Sequence, residues 1–328
     1  IAMSGRWPDA DGLEQFARNM SLGHSAIREV PQSRWDLNGR YSPEREIGKT
    51  YSKWAALLDD VETFDHKFFN LSPLDAAAMD CQQRLFLTEA WNALHASGHL
   101  EDKTARGRCG VYVGCAPGDH TDSLRESGRH ETAQAFLGSS SSILAARIAY
   151  FLDLGGPSIA VDTACSSSLV AVHLACQALL SGEVDTALAG GVAVMETPSL
   201  QVRSSQVGML SPTGTSAPFA AAADGIVLGE GVGVVVLRRL SDAQRDGDQI
   251  LAVIRGSGIN GDGRTNGITA PNPDAQAALI SSVLTRAGIA PGAVSFVETH
   301  GTGTRLGDPI EILGLRRALG EESTAWLA

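Results

Sequence analysis

From Gly110 onward, short apolar runs alternate with longer stretches in which small and apolar residues recur at helical spacing. Residues 111–114, 158–162, 187–195, 231–237, 251–259 and 294–298 read as buried strands. Residues 143–151, 166–180, 274–286 and 308–319 read as helices, with Gly155-Gly156-Pro157 and Gly182 as stops. This alternation predicts an α/β fold with helices packed on sheet faces. Ahead of Gly110 the pattern is mixed. Residues 13–22 read as a short helix, and residues 75–97 as one long helix carrying Leu85, Phe86, Leu87, Trp91 and Leu94, ended by Gly98. The stretch from Pro31 is irregular, and no low-complexity linker divides the chain.

At 328 residues the chain has room for one large domain or two fused halves. A net charge of −11, with basic pairs only at Arg238-Arg239 and Arg316-Arg317, argues against nucleic acid or an anionic membrane surface as a partner. No stretch is expected to approach the roughly 20 apolar residues of a membrane span, and the first five residues carry no basic leader signature. The five cysteines form no CxxC or CxxH pair, so no metal site is expected and a reducing cytoplasm fits best.

Cys165 is the cysteine that invites chemistry. Residues 155–169, GGPSIAVDTACSSSL, describe a strand that runs into a tight turn and then a helix, with Cys165 at the corner. Residues 166–182 hold no Asp, Glu, Lys or Arg, so that helix is expected to be buried. Its N-terminus offers unpaired N–H groups and about half a positive charge, which favours a thiolate and can hold an oxyanion. Cys81, Cys109, Cys115 and Cys176 lack that setting and read as small buried hydrophobes.

His300 ends a second strand in the loop His300-Gly301-Thr302-Gly303-Thr304. Its glycines let a ligand or another backbone come close, its threonines offer hydroxyls, and its histidine exchanges protons near neutrality. Gly307-Asp308-Pro309-Ile310-Glu311 then opens a helix, with Asp308 expected as N-cap, Pro309 at its first position and Glu311 at its third. Val161-Asp162-Thr163 before Cys165 is echoed by Val297-Glu298-Thr299 before His300, as two duplicated halves would show.

Asp162 to Leu169, DTACSSSL, resembles the nucleophile motif of β-ketoacyl synthase domains of modular type I polyketide synthases, and His300 to Thr304 resembles that family's first histidine motif. Ala78-Met79-Asp80 with Gln82-Gln83-Arg84, Gly208 to Pro212, Ala223-Asp224-Gly225, Gly229-Glu230-Gly231 and Gly307 to Glu311 match in family order. The resemblance implies a thiolase-like fold, two similar βαβ halves in a five-layered αβαβα core, with approximate halves at 1–200 and 201–328. It implies Cys165 as acyl acceptor, His300 as stabiliser of the extender enolate, and Thr302 and Thr304 on the phosphopantetheine arm. Acyl carrier protein domains, other polyketide synthase domains and a second copy in a homodimer are the implied partners, with no cofactor bound to the domain itself. The implied reaction is decarboxylative Claisen condensation; the alternative is a non-elongating domain that only accepts and passes acyl chains. Cys81 stands where the family usually has proline, a local packing change. The second histidine, in an Asn-x-Gly-His motif, and a glycine-rich oxyanion loop are expected beyond residue 328.

Overall fold

Valine, alanine and glycine dominate the predicted strands, and four of these pair with an N-terminal strand, Ala2–Arg6, into a five-stranded mixed sheet. A computed structural model of the chain describes residues 1–320 and 325–327. It divides into two compact units: residues 1–37, 55–200 and 229–253 form the first, and residues 38–54, 201–228 and 254–328 the second.

The first unit holds the sheet. Its strands are β1 (Ala2–Arg6), β2 (Cys109–Gly114), β3 (Ser158–Val161), β4 (Thr186–Ala193) and β5 (Gly231–Arg238), in the spatial order β1-β5-β4-β2-β3. The β4–β2 and β2–β3 pairs are parallel; β1–β5 and β5–β4 are antiparallel. Side chains alternate across the pleat. Val111 and Val113 therefore join Leu188, Val232, Val234 and Val236 in a core with α1 (Cys81–Ala96) and α2 (Ser141–Leu152). Tyr112, Ala187 and Ala189 face the other way, onto Ala171, Ala175, Ala178 and Leu179 of α3 (Ser167–Ser181). Each large apolar side chain so buried contributes roughly 1.5–3 kcal/mol.

The single helix expected over residues 75–97 is two helices, Pro73–Ala78 and α1. Met79 turns extended, with ψ 131°, and the Asp80 carboxylate accepts the Gln82 N–H to start α1 afresh. Glu230, from the Gly-Glu-Gly motif, is a buried brace: it accepts N–H groups of Leu58 and Met195 and pairs with Arg34.

Full burial of α3 is not observed within this chain. Ala171 and Ala175 are sealed against the sheet, but Leu169 and Leu180 are 74% and 76% exposed. The window Ala164–Ser181 is also long and apolar enough, by composition alone, to cross a membrane, contrary to expectation. Its charge-free sequence is used here to pack on a sheet face.

In the second unit, α4 (Pro273–Ala287) packs beside α5 (Gly307–Leu319), where Gly314 lies close to Gln276 and Pro273. The strand expected at residues 251–259 does not form; its residues are in no ladder among the described residues. A strand exists only through its neighbour, and here Gly256 and Gly258 instead abut Val283 on α4. The expected strand at 294–298 shrinks to Phe296–Val297, paired in parallel with Trp326–Leu327.

Candidate active site

Cys165 sits in the elbow between β3 and α3, in the first unit. Ala164 before it is held at φ 58°, a left-handed backbone that a non-glycine residue rarely adopts. The Ala164 N–H donates to Asp162 Oδ1 at 3.0 Å, and the Thr163 N–H to Ser167 Oγ at 2.9 Å. The helix is driven close to the sheet by two glycines. A Cβ on Gly114 would lie 2.3 Å from the Ser167 carbonyl carbon, and one on Gly191 would lie 2.7 Å from Ser168 Cβ.

Cys165 is exposed, whereas Cys81, Cys109 and Cys115 are buried and Cys176 is half-buried. Burial pushes the Cys109 thiol up to about 12 and the Cys115 thiol up to about 11. Cys81 is pushed higher still by burial and by the Glu196 charge. A thiol that stays protonated is a poor nucleophile. Cys81, Cys109 and Cys115 are thus both out of reach and held protonated, and the exposed Cys165 is left as the reactive candidate.

The His300 loop belongs to the second unit and is shaped from α5. Glu311 accepts the N–H of His300 through Oε1 at 2.7 Å and that of Gly301 through Oε2 at 2.9 Å. Asp308 accepts from Phe219 N at 2.6 Å and Gly303 N at 3.0 Å. Asp308 is thus not the N-cap expected of it. The helix begins at Gly307, with Leu306 as N-cap, and the Asp308 carboxylate turns back to the loop. Three residues apart on one helix, the two acids face the same strip of backbone. Gly301 and Gly303 have φ 49° and 64°, so their first role is conformational. Thr302 Oγ1 and Thr304 Oγ1 are 2.8 Å apart, and Thr304 Oγ1 also accepts the Gly307 N–H at 3.0 Å. A Cβ on Gly307 would fall within 2.7 Å of both hydroxyls, so a larger residue there would displace the threonine side chains.

His300, Thr302 and Thr304 therefore share one loop, and Cys165 stands on the elbow of the other unit. Sequence reasoning overlooked Ser167, Asp162 and the clamping role of Glu311. Each is spaced for a local turn or cap, and that spacing was the available signal.

A buried acid cluster also lies in the first unit. His120 Nδ1 faces Glu196 Oε2 at 2.7 Å, and its Nε2 faces the Ala77 carbonyl at 3.1 Å. Burial disfavours the charged ring, but the hydrogen bond and charge of Glu196 outweigh it, so the affinity of His120 for a proton is raised. Burial and the Glu196 charge push the Asp80 carboxyl up to about 6. The Cys81 N–H donates to Glu196 Oε1 at 3.1 Å, a bond that a proline at this position has no hydrogen to make.

Two family models match: "Beta-ketoacyl synthase, N-terminal domain" over residues 1–243, and "Beta-ketoacyl synthase, C-terminal domain" over residues 251–328. A phenolphthiocerol/phthiocerol polyketide synthase of Mycobacterium tuberculosis is 48% identical over 99% of this chain and 21% of its own length. Polyketide synthase PksL of Bacillus subtilis is 44% identical over 98% of this chain and 7% of its own. A Streptomyces albus oxazolomycin ketosynthase domain superposes with TM-score 0.92 at 43% identity, covering 98% of this chain and 55% of that one. The module 6 ketosynthase of the Bacillus subtilis bacillaene synthase gives 0.91 at 42% identity, covering 100% and 56%. The chain thus spans about a fifth or less of these curated relatives and a little over half of the solved ketosynthases. With a mixed α/β, thiolase-like fold and both models matched in order, the chain belongs to the β-ketoacyl synthase family, as a ketosynthase domain of modular polyketide synthase type.

Proposed function

We propose that this domain elongates a polyketide chain by decarboxylative Claisen condensation. The observation that carries the reading is the exposed Cys165 on a left-handed elbow at the start of α3, inside the matched family region. The Cys165 thiolate attacks the carbonyl carbon of an acyl thioester carried by the phosphopantetheine of an acyl carrier protein. The carrier thiol leaves, and the acyl group stays on sulfur. A malonyl-type unit on a second carrier then loses CO₂. The resulting enolate carbon attacks the Cys165 thioester, forming the new C–C bond and freeing the thiolate. His300 donates a hydrogen bond to the extender thioester oxygen as charge builds there, and Thr302 and Thr304 line the path of the pantetheine arm. The domain itself binds no cofactor on this reading, and the reaction takes place in the cytoplasm.

Acyl carrier protein domains are the substrate-bearing partners, alongside other polyketide synthase domains. A second copy is the structural partner. Two features support the homodimer: β3 forms one edge of the sheet with Ile159 exposed, and Leu169, Val172, Cys176 and Leu180 recur along one face of α3 with Leu169 and Leu180 uncovered.

The test uses carrier-bound substrates and mass spectrometry. C165A is expected to abolish acyl loading, and H300A to load normally but yield no ketoacyl product. Loss of loading in H300A would show that the histidine serves the first half-reaction. Loading without ketoacyl product in the unaltered protein would support the transfer-only alternative.

A further inference from the structure

The exposed elbow around Cys165 has one buried side chain beneath it. Residues 162–166 are all exposed, whereas Ser167 is 6% exposed. Its hydroxyl uses both of its capacities on the two residues before Cys165. It accepts the Thr163 N–H at 2.9 Å and donates to the Ala164 carbonyl at 2.6 Å. That carbonyl also accepts the Ser167 N–H at 3.1 Å, so both of its lone pairs point at one residue. The serines on either side do not share this position: Ser166 and Ser168 are exposed, and Ser166 Oγ reaches back to Thr163. Below, the Ser167 backbone is pressed against Gly114 at the end of β2, so the staple has a fixed base.

A left-handed alanine persists only where its surroundings over-determine it. Asp162 supplies one bond, to the Ala164 N–H, and Ser167 supplies the closure on the other side. From this geometry we propose that Ser167 is a positioning residue for Cys165: its buried hydroxyl locks the Thr163–Ala164 turn so that the sulfur is presented at one fixed angle to an incoming thioester. The proposal rests on Cys165 being the acyl acceptor. Ser167 touches no substrate and acts through the backbone.

Two reactions of the same sulfur separate positioning from simple folding. Alkylation by iodoacetamide needs an accessible sulfur and tolerates many approach angles. Acyl transfer from a carrier thioester needs a defined approach, and a misplacement near 1 Å costs on the order of 10²-fold. In the intact protein, S167A is expected to load acyl groups about 30- to 100-fold more slowly by kcat, with KM within about threefold. Iodoacetamide should still label Cys165 at close to the unaltered rate and spare Cys81, Cys109 and Cys115. S167T, which restores the hydroxyl, should recover most of the loading rate, and S168A should match the unaltered protein.

Loading by S167A within threefold of the unaltered protein would overturn the proposal. So would labelling of the buried cysteines in S167A, which would mark a general loosening, and so would a loss in S168A equal to that in S167A. C165A separates the two levels of the argument. If it still loads, the acyl-acceptor assignment fails and the proposal falls with it; if it does not load while S167A does, only the proposal fails.

Discussion

Replacing Gly114 by alanine tests how the sheet sets the position of the nucleophile elbow. The added Cβ would lie 2.3 Å from the Ser167 carbonyl carbon, 2.4 Å from the Ser168 nitrogen and 2.6 Å from the Ser167 oxygen. Ordinary contact begins at 3.4 Å, so the overlap is about 1 Å and every atom it meets is backbone. The strand is held on both sides, with Gly114 in register with Val161 of β3 and Gly191 of β4. The start of α3 must therefore move instead. Overpacking of this kind costs about 1–3 kcal/mol, or a fall in melting temperature of roughly 2–12 °C for a unit of this size. The same shift carries Cys165 off its line of approach, for a loss of acyl loading on the order of 10²-fold. Thermal melting by circular dichroism and loading by intact-protein mass spectrometry read both effects. G107A is the matched control, because a Cβ there meets nothing within 4 Å. If G114A melts within about 1 °C of the unaltered protein and loads at its rate, the close approach of β2 to α3 does not set the elbow.

Other expectations follow from the same geometry. Limited iodoacetamide treatment followed by peptide mapping should modify Cys165 first, because Cys81, Cys109 and Cys115 are buried with their thiols held protonated; equal labelling of any of these would sink the assignment. E311Q keeps one acceptor for the His300 loop and turns an amide N–H₂ toward the other donor; with charged hydrogen bonds worth about 1.5–3 kcal/mol, condensation should fall about 10- to 100-fold while loading of Cys165 is preserved. Unchanged condensation in E311Q would refute the clamp. For Asp80 the folded pKa, about 6, lies above its ordinary 3.8, so its stabilising effect is present below about 4 and is lost as pH rises through 6. D80N carries no charge and can still cap the Gln82 N–H, so it should melt higher than the unaltered protein at pH 8 by about 3 kcal/mol of stability, with a much smaller gap at pH 4.5; a gap independent of pH would refute the argument.

Much of the site is legible along the chain because its determinants are local. The corner at Cys165 needs only an apolar run, a small-residue turn and an uncharged helix, and these are contiguous between Ser158 and Ser181. The His300 loop is also contiguous, and positive φ angles at its glycines are the kind of backbone that glycine marks in a sequence. The mixed α/β character follows from the alternation of apolar runs with helical stretches. What the pattern leaves open depends on neighbours far away in sequence. Residues 251–259 have strand composition but no ladder, since pairing is a property of two segments. The break at Met79-Asp80 hides inside a helical pattern, and Asp80 and Cys81 there pack against Glu196 and His120, residues from distant parts of the chain. Asp308 has the look of a cap for its own helix, yet its carboxylate serves Phe219, 89 positions away. Gly114 meets Ser167 only once β2 and α3 are packed. Local propensity decides where the chain turns, but which backbone groups a carboxylate or a glycine meets is decided by tertiary packing, because those partners become neighbours only when the sheet and helices close around them.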